Sequence, residues 1–304
     1  MTAMADQAQR NRAVGLPRRP DRGAKTARGL LFTLLGEFVL PSGGAAWTAA
    51  FIDALGRLGV EEKASRQVLM RTADDGWLAP ERIGRRTCWR LTSSAEQLLT
   101  EGADRIYGFT ATRRAWDGKW LMVLARAPEA ERPARHQLRT RLRWAGFGSP
   151  APGVWLSPDA DRVADAERIL ADAGLLAESQ IFRAEYSGGG ELAAMVRLAW
   201  DLDQIEQGYE EFLAEFASPA GGAVATGDPL AFLTALVHAW RRFPWIDPVL
   251  PADLLPEGWS GSRAAQLFAL RHSQWCAAAT AEWRRLGNVP AEPSRPDDLA
   301  GSHQ

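Results

Sequence analysis

Lys63, Ser65, Arg66, Gln67 and Arg71 share one short amphipathic run, and Arg82, Arg85 and Arg86 follow a few residues later. These side-chain types bind a nucleic-acid duplex. A guanidinium fork matches O6 and N7 of guanine or the oxygens of one phosphate, and serine or glutamine can read a base edge. Lys63, Arg85 and Arg86 suit phosphate contacts, which position a protein without carrying sequence information. Arg66 and Arg71 stand five apart, so on a helix they lie on partly different faces, and one can fork to guanine while the other grips phosphate. For any single arginine the plain alternative is a solvated charge, or an ion pair with Glu61, Glu62 or Asp75. As a set they point to DNA, although Asp74 and Asp75 would repel it unless the helix end points away.

Side chains at this spacing need a helix and a loop to hold them. Leu30, Leu31, Leu34, Leu35 and Phe38 give a first helical stripe that ends before Pro41 and the Gly43-Gly44 pair. A second follows from Trp47 with Ala50, Phe51, Ala54, Leu55 and Leu58 inward, stopped by Gly59. A third runs from Glu61 to Asp75, with Ala64, Val68, Leu69 and Ala73 inward and Ser65 and Thr72 grouped with the outward residues. Gly76 ends it. Trp77, Leu78, Trp89 and Leu91 then suit two paired strands, with Arg82, Gly84, Arg85 and Arg86 in the turn between them. Three helices and a basic-tipped hairpin describe a winged helix-turn-helix, whose third helix enters the major groove while the wing reaches the flanking phosphates.

Downstream, Thr92 to Tyr107 reads as a connector helix capped by Thr92 or Ser93, with Glu96 placed for a capping box. Strands at 119–125, 154–157 and 180–186 alternate with a basic helix after Glu131 and a helix from Asp159 to Gly174, with a further strand near Phe147. That order predicts a ferredoxin-like α/β layer. Arg132, Arg135, Arg139, Arg141 and Arg143 are a second basic cluster, read as a solvated face because Leu138 and Leu142 already supply a buried stripe. Gly188, Gly189 and Gly190 read as a hinge. Beyond them the pattern is helical: one long amphipathic run from Met195 to Phe216, another over Leu230–Trp240 and a third over Ser262–Leu286.

The fold class is therefore α+β: a basic disordered arm over 1–23, a winged-helix domain with connector over 24–106, a ferredoxin-like middle domain over 107–187, an all-helical C-terminal domain over 188–290 and a tail over 291–304. Charge agrees with this division of labour. Lys and Arg outnumber Asp and Glu by 16 to 12 over residues 1–106 and by 12 to 10 over 107–185, but fall to 8 against 15 over 186–304. Phosphate would meet the front of the chain and be repelled by the back. Two cysteines, Cys88 and Cys276, are too few for a disulfide framework, and the N-terminus has no apolar stretch of signal-peptide length. The expectation is a cytoplasmic, nucleoid-associated protein without membrane contact. His136, His238, His272 and His303 are read as lacking ligand spacing with either cysteine, so no metal and no cofactor are expected. Nor does the sequence hold a carboxylate constellation, a phosphate-binding glycine loop, HExxH or GxSxG that would mark an enzyme.

The most distinctive segment is RRFPWIDPVLPADLLPEGWSG, Arg241 to Gly261. Pro244, Pro248, Pro251 and Pro256 fix φ and remove donors, forcing turns and extended steps, yet Phe243, Trp245, Ile246, Val249, Leu250, Leu254, Leu255 and Trp259 are too apolar for water. An ordered strap clamped on a helical body satisfies both demands. This segment, with the third-helix pattern leading into Gly76-Trp77-Leu78, the string Arg141-Leu142-Arg143-Trp144-Ala145-Gly146-Phe147-Gly148 and Gly153-Val154-Trp155-Leu156-Ser157-Pro158, resembles the PaaX family of bacterial transcriptional repressors over roughly residues 27–286. The resemblance implies a homodimeric repressor of aromatic-compound catabolism with a winged helix, a middle domain similar to the small CRISPR-associated ribonuclease fold, and release from double-stranded operator DNA by an acyl-CoA effector such as phenylacetyl-CoA. Two departures stand out: the arginine-rich arm is extra, and Leu124 to Glu129 lacks the aspartate with which a related nuclease would hold metal, so phosphodiester cleavage is not expected. A CoA thioester needs basic groups and an apolar slot; Arg241, Arg242, Trp245, Trp259 and Arg263 are the candidates, with the 132–143 arginines as a second source of charge. The alternatives are a ligand-independent activator or architectural factor, or a metal-dependent nuclease.

Overall fold

The computed structural model describes residues 26–109, 115–125, 132–218 and 227–287. The basic arm and the tail fall outside the described residues, as do Arg126 to Glu129. In chain order the elements are α1 (Ala27–Leu34), β1 (Ala45–Trp47), α2 (Thr48–Gly56), α3 (Glu62–Asp74), β2 (Leu78–Ile83), β3 (Arg86–Leu91) and α4 (Ser93–Gly108). They continue with β4 (Lys119–Leu124), α5 (Arg132–Trp144), β5 (Gly148–Ala151), β6 (Val154–Ser157), α6 (Val163–Asp172) and β7 (Gln180–Glu185). The remainder is helical: α7 (Leu192–Ala199), α8 (Leu202–Phe216), α9 (Pro229–Trp240), the single turn α10 (Phe243–Ile246) and α11 (Gly261–Leu286). This is a mixed α+β chain with two small antiparallel sheets. No helix among the described residues is long and apolar enough to cross a membrane.

Backbone contacts divide the chain into one unit of residues 1–104, 222–239 and 270–304 and another of 105–221 and 240–269. The block read as one helical domain over 188–290 contributes to both.

In the first unit, Thr26 caps α1 by accepting from the Gly29 amide at 3.1 Å. Leu30, Leu31, Leu34, Leu35 and Phe38 are buried, as their spacing predicts, but the helix widens into a π turn over Leu35–Val39 before Gly43 stops it at φ 92°. Phe38 and Phe51 pack on the Trp283 indole at 5.6 and 5.8 Å between ring centroids. β2 and β3 pair in the register Leu78↔Leu91 to Ile83↔Arg86, and β1, too short to show in the sequence, adds to the other edge of β3. At the start of α4 the cap is Thr92, whose Oγ1 accepts from the Ala95 amide at 3.3 Å. A Ser93–Glu96 capping box does not form, because the Glu96 amide already donates to Thr92 O.

The second unit holds the sheet β5-β6-β4-β7, with every neighbouring pair antiparallel. The chain order β-α-β-β-α-β with β6 and β4 central is the ferredoxin-like arrangement. Its core is Leu121, Val123, Leu142, Phe147, Trp155 and Leu170 between sheet and helices. Glycine is required at the start of β5, since a Cβ on Gly148 would come within 2.4 Å of the Trp200 indole.

Two expectations fail in the helical part. Met195 to Phe216 is two helices rather than one: Trp200 turns extended, and Asp201 starts α8 afresh by accepting from the Gln204 amide at 3.3 Å. Leu198, which a single amphipathic helix over Met195 to Phe216 would turn inward with Leu202 and Ile205, is 71% exposed. The strap is ordered, with α10 and a 3-10 turn at Ala252–Leu254 between extended steps. The buried Asp247 carboxylate organises it, accepting from the Tyr209 hydroxyl and the Val249 amide, each at 2.7 Å. Those bonds hold Val249 at φ 56°, a conformation that a β-branched residue adopts only when its surroundings impose it. Phe243, Leu250 and Leu254 are buried, whereas Ile246 and Val249 face solvent, because the same turn that satisfies Asp247 rotates them outward.

Candidate nucleic-acid interface and a basic cleft

Helix α3 is fastened by one face and bare on the other. Ser65, Val68, Leu69 and Thr72 are buried. Lys63, Arg66, Gln67, Met70 and Arg71 are exposed, with 63, then 66 and 67, then 70 and 71 falling on successive turns, so they form one continuous strip along the helix. Arg66 donates Nε and Nη2 to Glu62 Oε1 at 2.9 and 2.7 Å, an exposed pair one turn apart. Such a pair is worth about 0.3–0.5 kcal/mol, so a phosphate or guanine can displace the carboxylate. Lys63, Gln67 and Arg71 make no hydrogen bond or ion pair with another described residue. Asp75 is paired with Arg28 at 2.6 Å, which neutralises one of the two carboxylates at the helix end.

Ser65 is not a base reader. It is fully buried, its amide and hydroxyl both bonded to Glu61 O. Thr72 likewise turns inward to Val68 O at 2.7 Å. Small hydroxyls that bond back one turn sit comfortably on a buried helix face, so the polar-outward reading fails at these two positions. Ser65→Ala is accordingly expected to leave DNA affinity within about twofold of wild type, because the Glu61 carbonyl keeps the backbone amide; Gln67→Ala should lower affinity about fivefold, the low end of a base contact. Titration of one labelled duplex with both variants checks this, and a larger loss in Ser65→Ala would contradict the burial argument. Met70, 54% exposed in the middle of the strip, is apolar and so gives no signal in a pattern of polar side chains.

The hairpin presents a second basic edge. Its two-residue loop is Gly84-Arg85, with φ positive only at Gly84 (61°), the pattern in which glycine leads a tight hairpin. Arg85 alone of the arginines sits in the loop. Arg82 and Arg86, expected there, belong to the strands: Arg82 donates to Gly84 O at 3.4 Å and Arg86 lies over the Trp47 ring at 5.8 Å. All three are exposed. Arg90 is tied to Glu81 at 2.6 Å.

The five residues named for an effector do not converge. Arg242 donates to Gly208 O at 3.0 Å and lies over the Phe243 ring at 4.9 Å, and Trp259 packs edge-on against Tyr209. Arg263 is paired with Glu210 at 2.7 Å. Arg241 is half-buried by area, but the atoms packed around it push its guanidinium down to about 10, still charged at neutral pH. Trp245 alone adjoins a concave basic site: its ring lies 5.7 Å from Trp144 and 4.1 Å below the Arg105 guanidinium.

That site is a cleft of about 510 Å³ in the second unit, lined by Arg105, Arg141, Trp144, Arg162 and Arg168 together with Asp165 and Asp172. Of these, only Arg141 belonged to a cluster that the sequence marked. Arg105 belongs to α4, whereas Arg162 is the N-cap of α6 and Arg168 lies within it, and nothing in the sequence announces that these two helices bring their arginines together.

A second convergence corrects the reading of the histidines. His272 and Cys276 stand one turn apart on α11, and with Glu37 of the π turn their ligand atoms lie within 4.8 Å of one another. His272 Nε2 is 2.8 Å from Glu37 Oε1, a contact that joins helices 235 residues apart in sequence. His272 therefore does have ligand spacing with a cysteine.

Comparison with known proteins gives three family matches. Residues 26–95 match the PaaX-like protein family, 113–196 the PaaX protein central Cas2-like domain, and 200–285 the PaaX-like protein C-terminal domain. A protein of Escherichia coli (strain K12) described as transcriptional repressor PaaX is 31% identical over 261 residues, covering 83% of this chain and 81% of that protein. Among solved structures, the uncharacterized protein Rv0674 from Mycobacterium tuberculosis is similar in fold, with a TM-score of 0.57 at 22% identity over 86% of this chain and 99% of that one.

Proposed function

The chain belongs to the PaaX family, and from that premise we propose that it is a dimeric transcriptional repressor of an aromatic-compound catabolic operon, released from its operator by an acyl-CoA such as phenylacetyl-CoA. The observation that carries the DNA half is the bare strip of α3. A helix whose inner face is fully buried and whose outer face carries Lys63, Arg66, Gln67 and Arg71 in a row fits a major groove.

In this reading the segment of residues 24–106 works as a winged helix-turn-helix. α3 is the recognition helix and the β2–β3 hairpin is the wing. Arg66, Gln67 and Arg71 meet base edges, while Lys63, Arg82, Arg85 and Arg86 take phosphates. The middle segment, 107–187, and the helical segment, 188–290, carry the effector and the dimer contact, and the protein acts in the cytoplasm without catalysis or cofactor. That the Escherichia coli relative is a transcriptional repressor supports the direction of regulation.

Salt dependence tests this proposal. With four phosphate contacts per subunit, the logarithm of the affinity for DNA from the upstream region of the gene should fall against the logarithm of salt concentration with a slope of about −3.6 for each subunit bound. A slope near zero would sink the proposal.

A further inference from the structure

Two of the four arginines in the cleft are already neutralised. Arg141 is paired with Asp172 and Arg168 with Asp165, each at 2.6 Å. Arg105 and Arg162 differ. Arg105 spends only its Nε, donating to Pro244 O at 3.1 Å, while its Cζ lies 4.1 Å over the Trp245 ring. It meets no carboxylate among the described residues, and its guanidinium is held below the usual arginine value by burial and then by repulsion from Arg162. Arg162 uses Nη1 on Ala145 O and reaches Asp159 weakly, Nε to Oδ2 at 3.5 Å. Two guanidinium groups near enough to repel each other thus keep terminal N–H donors unspent in a concave site with a half-buried indole, Trp144, in its wall. Its 510 Å³ lies in the range of small-ligand sites.

We propose that this cleft binds a phosphate-bearing small molecule of nucleotide type, with Arg105 and Arg162 forking the phosphate oxygens and Trp144 stacking on the base. Arginine recognises a phosphate bidentately, and a guanidinium already oriented by a carbonyl and a ring loses little freedom on doing so. Asp165 and Asp172 in the same wall favour a compact anion over a nucleic-acid backbone, whose successive phosphates would run past both carboxylates. For what the ligand does, the proposal rests on the effector-released repressor described above, with the cleft holding the phosphorylated end of the acyl-CoA; for whether the ligand binds, it does not.

The test titrates the full-length protein with coenzyme A by calorimetry, using wild type, Arg105→Gln, Arg162→Lys and Arg263→Gln, after thermal melts show that each variant is folded. Arg162→Lys keeps the charge and loses the fork. Wild type and Arg263→Gln should bind alike, and the two cleft variants at least tenfold more weakly. No binding by wild type, or equal binding by all four, overturns the proposal. So does a matching loss of affinity for a non-cognate DNA duplex in the cleft variants, which would make the surface a nucleic-acid contact. Release of operator DNA by phenylacetyl-CoA is read separately. If it persists unchanged in both cleft variants, the cleft is wrong and the repressor reading stands; if coenzyme A binds through the cleft but no acyl-CoA releases DNA, the reverse holds.

Discussion

Arg66→Ala combined with Arg71→Ala should weaken operator binding by about a hundredfold or more, taking roughly 1–3 kcal/mol for each charged contact to a base and 1.4 kcal/mol per factor of ten. The structure makes this a clean experiment. Both side chains are exposed, and neither supports the core of its unit. The double variant should therefore melt within a degree or two of wild type. Arg66 gives up only an exposed pair with Glu62, and Arg71 gives up no partner among the described residues. Where one of the two grips phosphate rather than guanine, the loss will be shared by all sequences and the salt slope will flatten by about one. Unchanged affinity would remove α3 from the interface.

The largest effect on stability is expected at Trp240. Its indole is fully buried, and the rings of Phe212, Phe243 and Phe268 lie at 5.4, 5.3 and 4.7 Å. The ring therefore sits where the strap begins and fixes Phe243, the first apolar anchor of that segment. Trp240→Ala leaves a cavity that rigid aromatic neighbours cannot fill, at about 3–5 kcal/mol. Against a total of roughly 5–15 kcal/mol, that amounts to a fall on the order of 10 °C in the melting temperature. Calorimetry checks it. A shift under about 2 °C would mean that the strap is held by something other than this cluster, of which the Asp247–Tyr209 bond is the first candidate.

Much of this architecture was legible because period and punctuation agree. The stripe Leu30, Leu31, Leu34, Leu35, Phe38 and the stop at Gly43 placed the first helix, and the apolar residues Trp77, Leu78, Trp89 and Leu91 placed the paired strands, although the turn expected over Arg82 to Arg86 closes to the two residues Gly84 and Arg85. In the middle segment the strands were found because Trp120, Leu121, Val123, Trp155 and Leu156 are concentrated in short apolar runs. What the sequence hid has physical reasons. Ser65 and Thr72 read as polar, yet a hydroxyl that bonds back one turn counts as small and apolar to its surroundings. The break at Trp200 fell inside an unbroken amphipathic pattern, and only the cap at Asp201 marks it.

The candidate site divides the same way. The residues proposed to face DNA lie close together in sequence, so helical spacing alone groups Lys63, Arg66, Gln67 and Arg71. The cleft is assembled from α4, α5 and the length of α6 with its N-cap Arg162, and no local signal links Arg105 to Arg162, or to Trp245 beside it in the strap. Density of arginine in the 132–143 run drew attention to the right helix but to a single residue of the cleft, Arg141. Tryptophans in the strap were correctly read as apolar anchors, yet which of them borders a ligand-sized space depends on packing that sequence spacing does not encode.

The most direct measurement is fluorescence anisotropy of a labelled duplex from the upstream region of this gene, titrated first with the protein and then, at saturation, with phenylacetyl-CoA. Tight, salt-sensitive binding followed by release at ligand concentrations that leave a non-cognate complex unchanged is the predicted result. Binding that no aromatic acyl-CoA reverses would contradict a ligand-released repressor, and failure to bind the upstream duplex in preference to a non-cognate one would contradict the assignment of α3 as its reader.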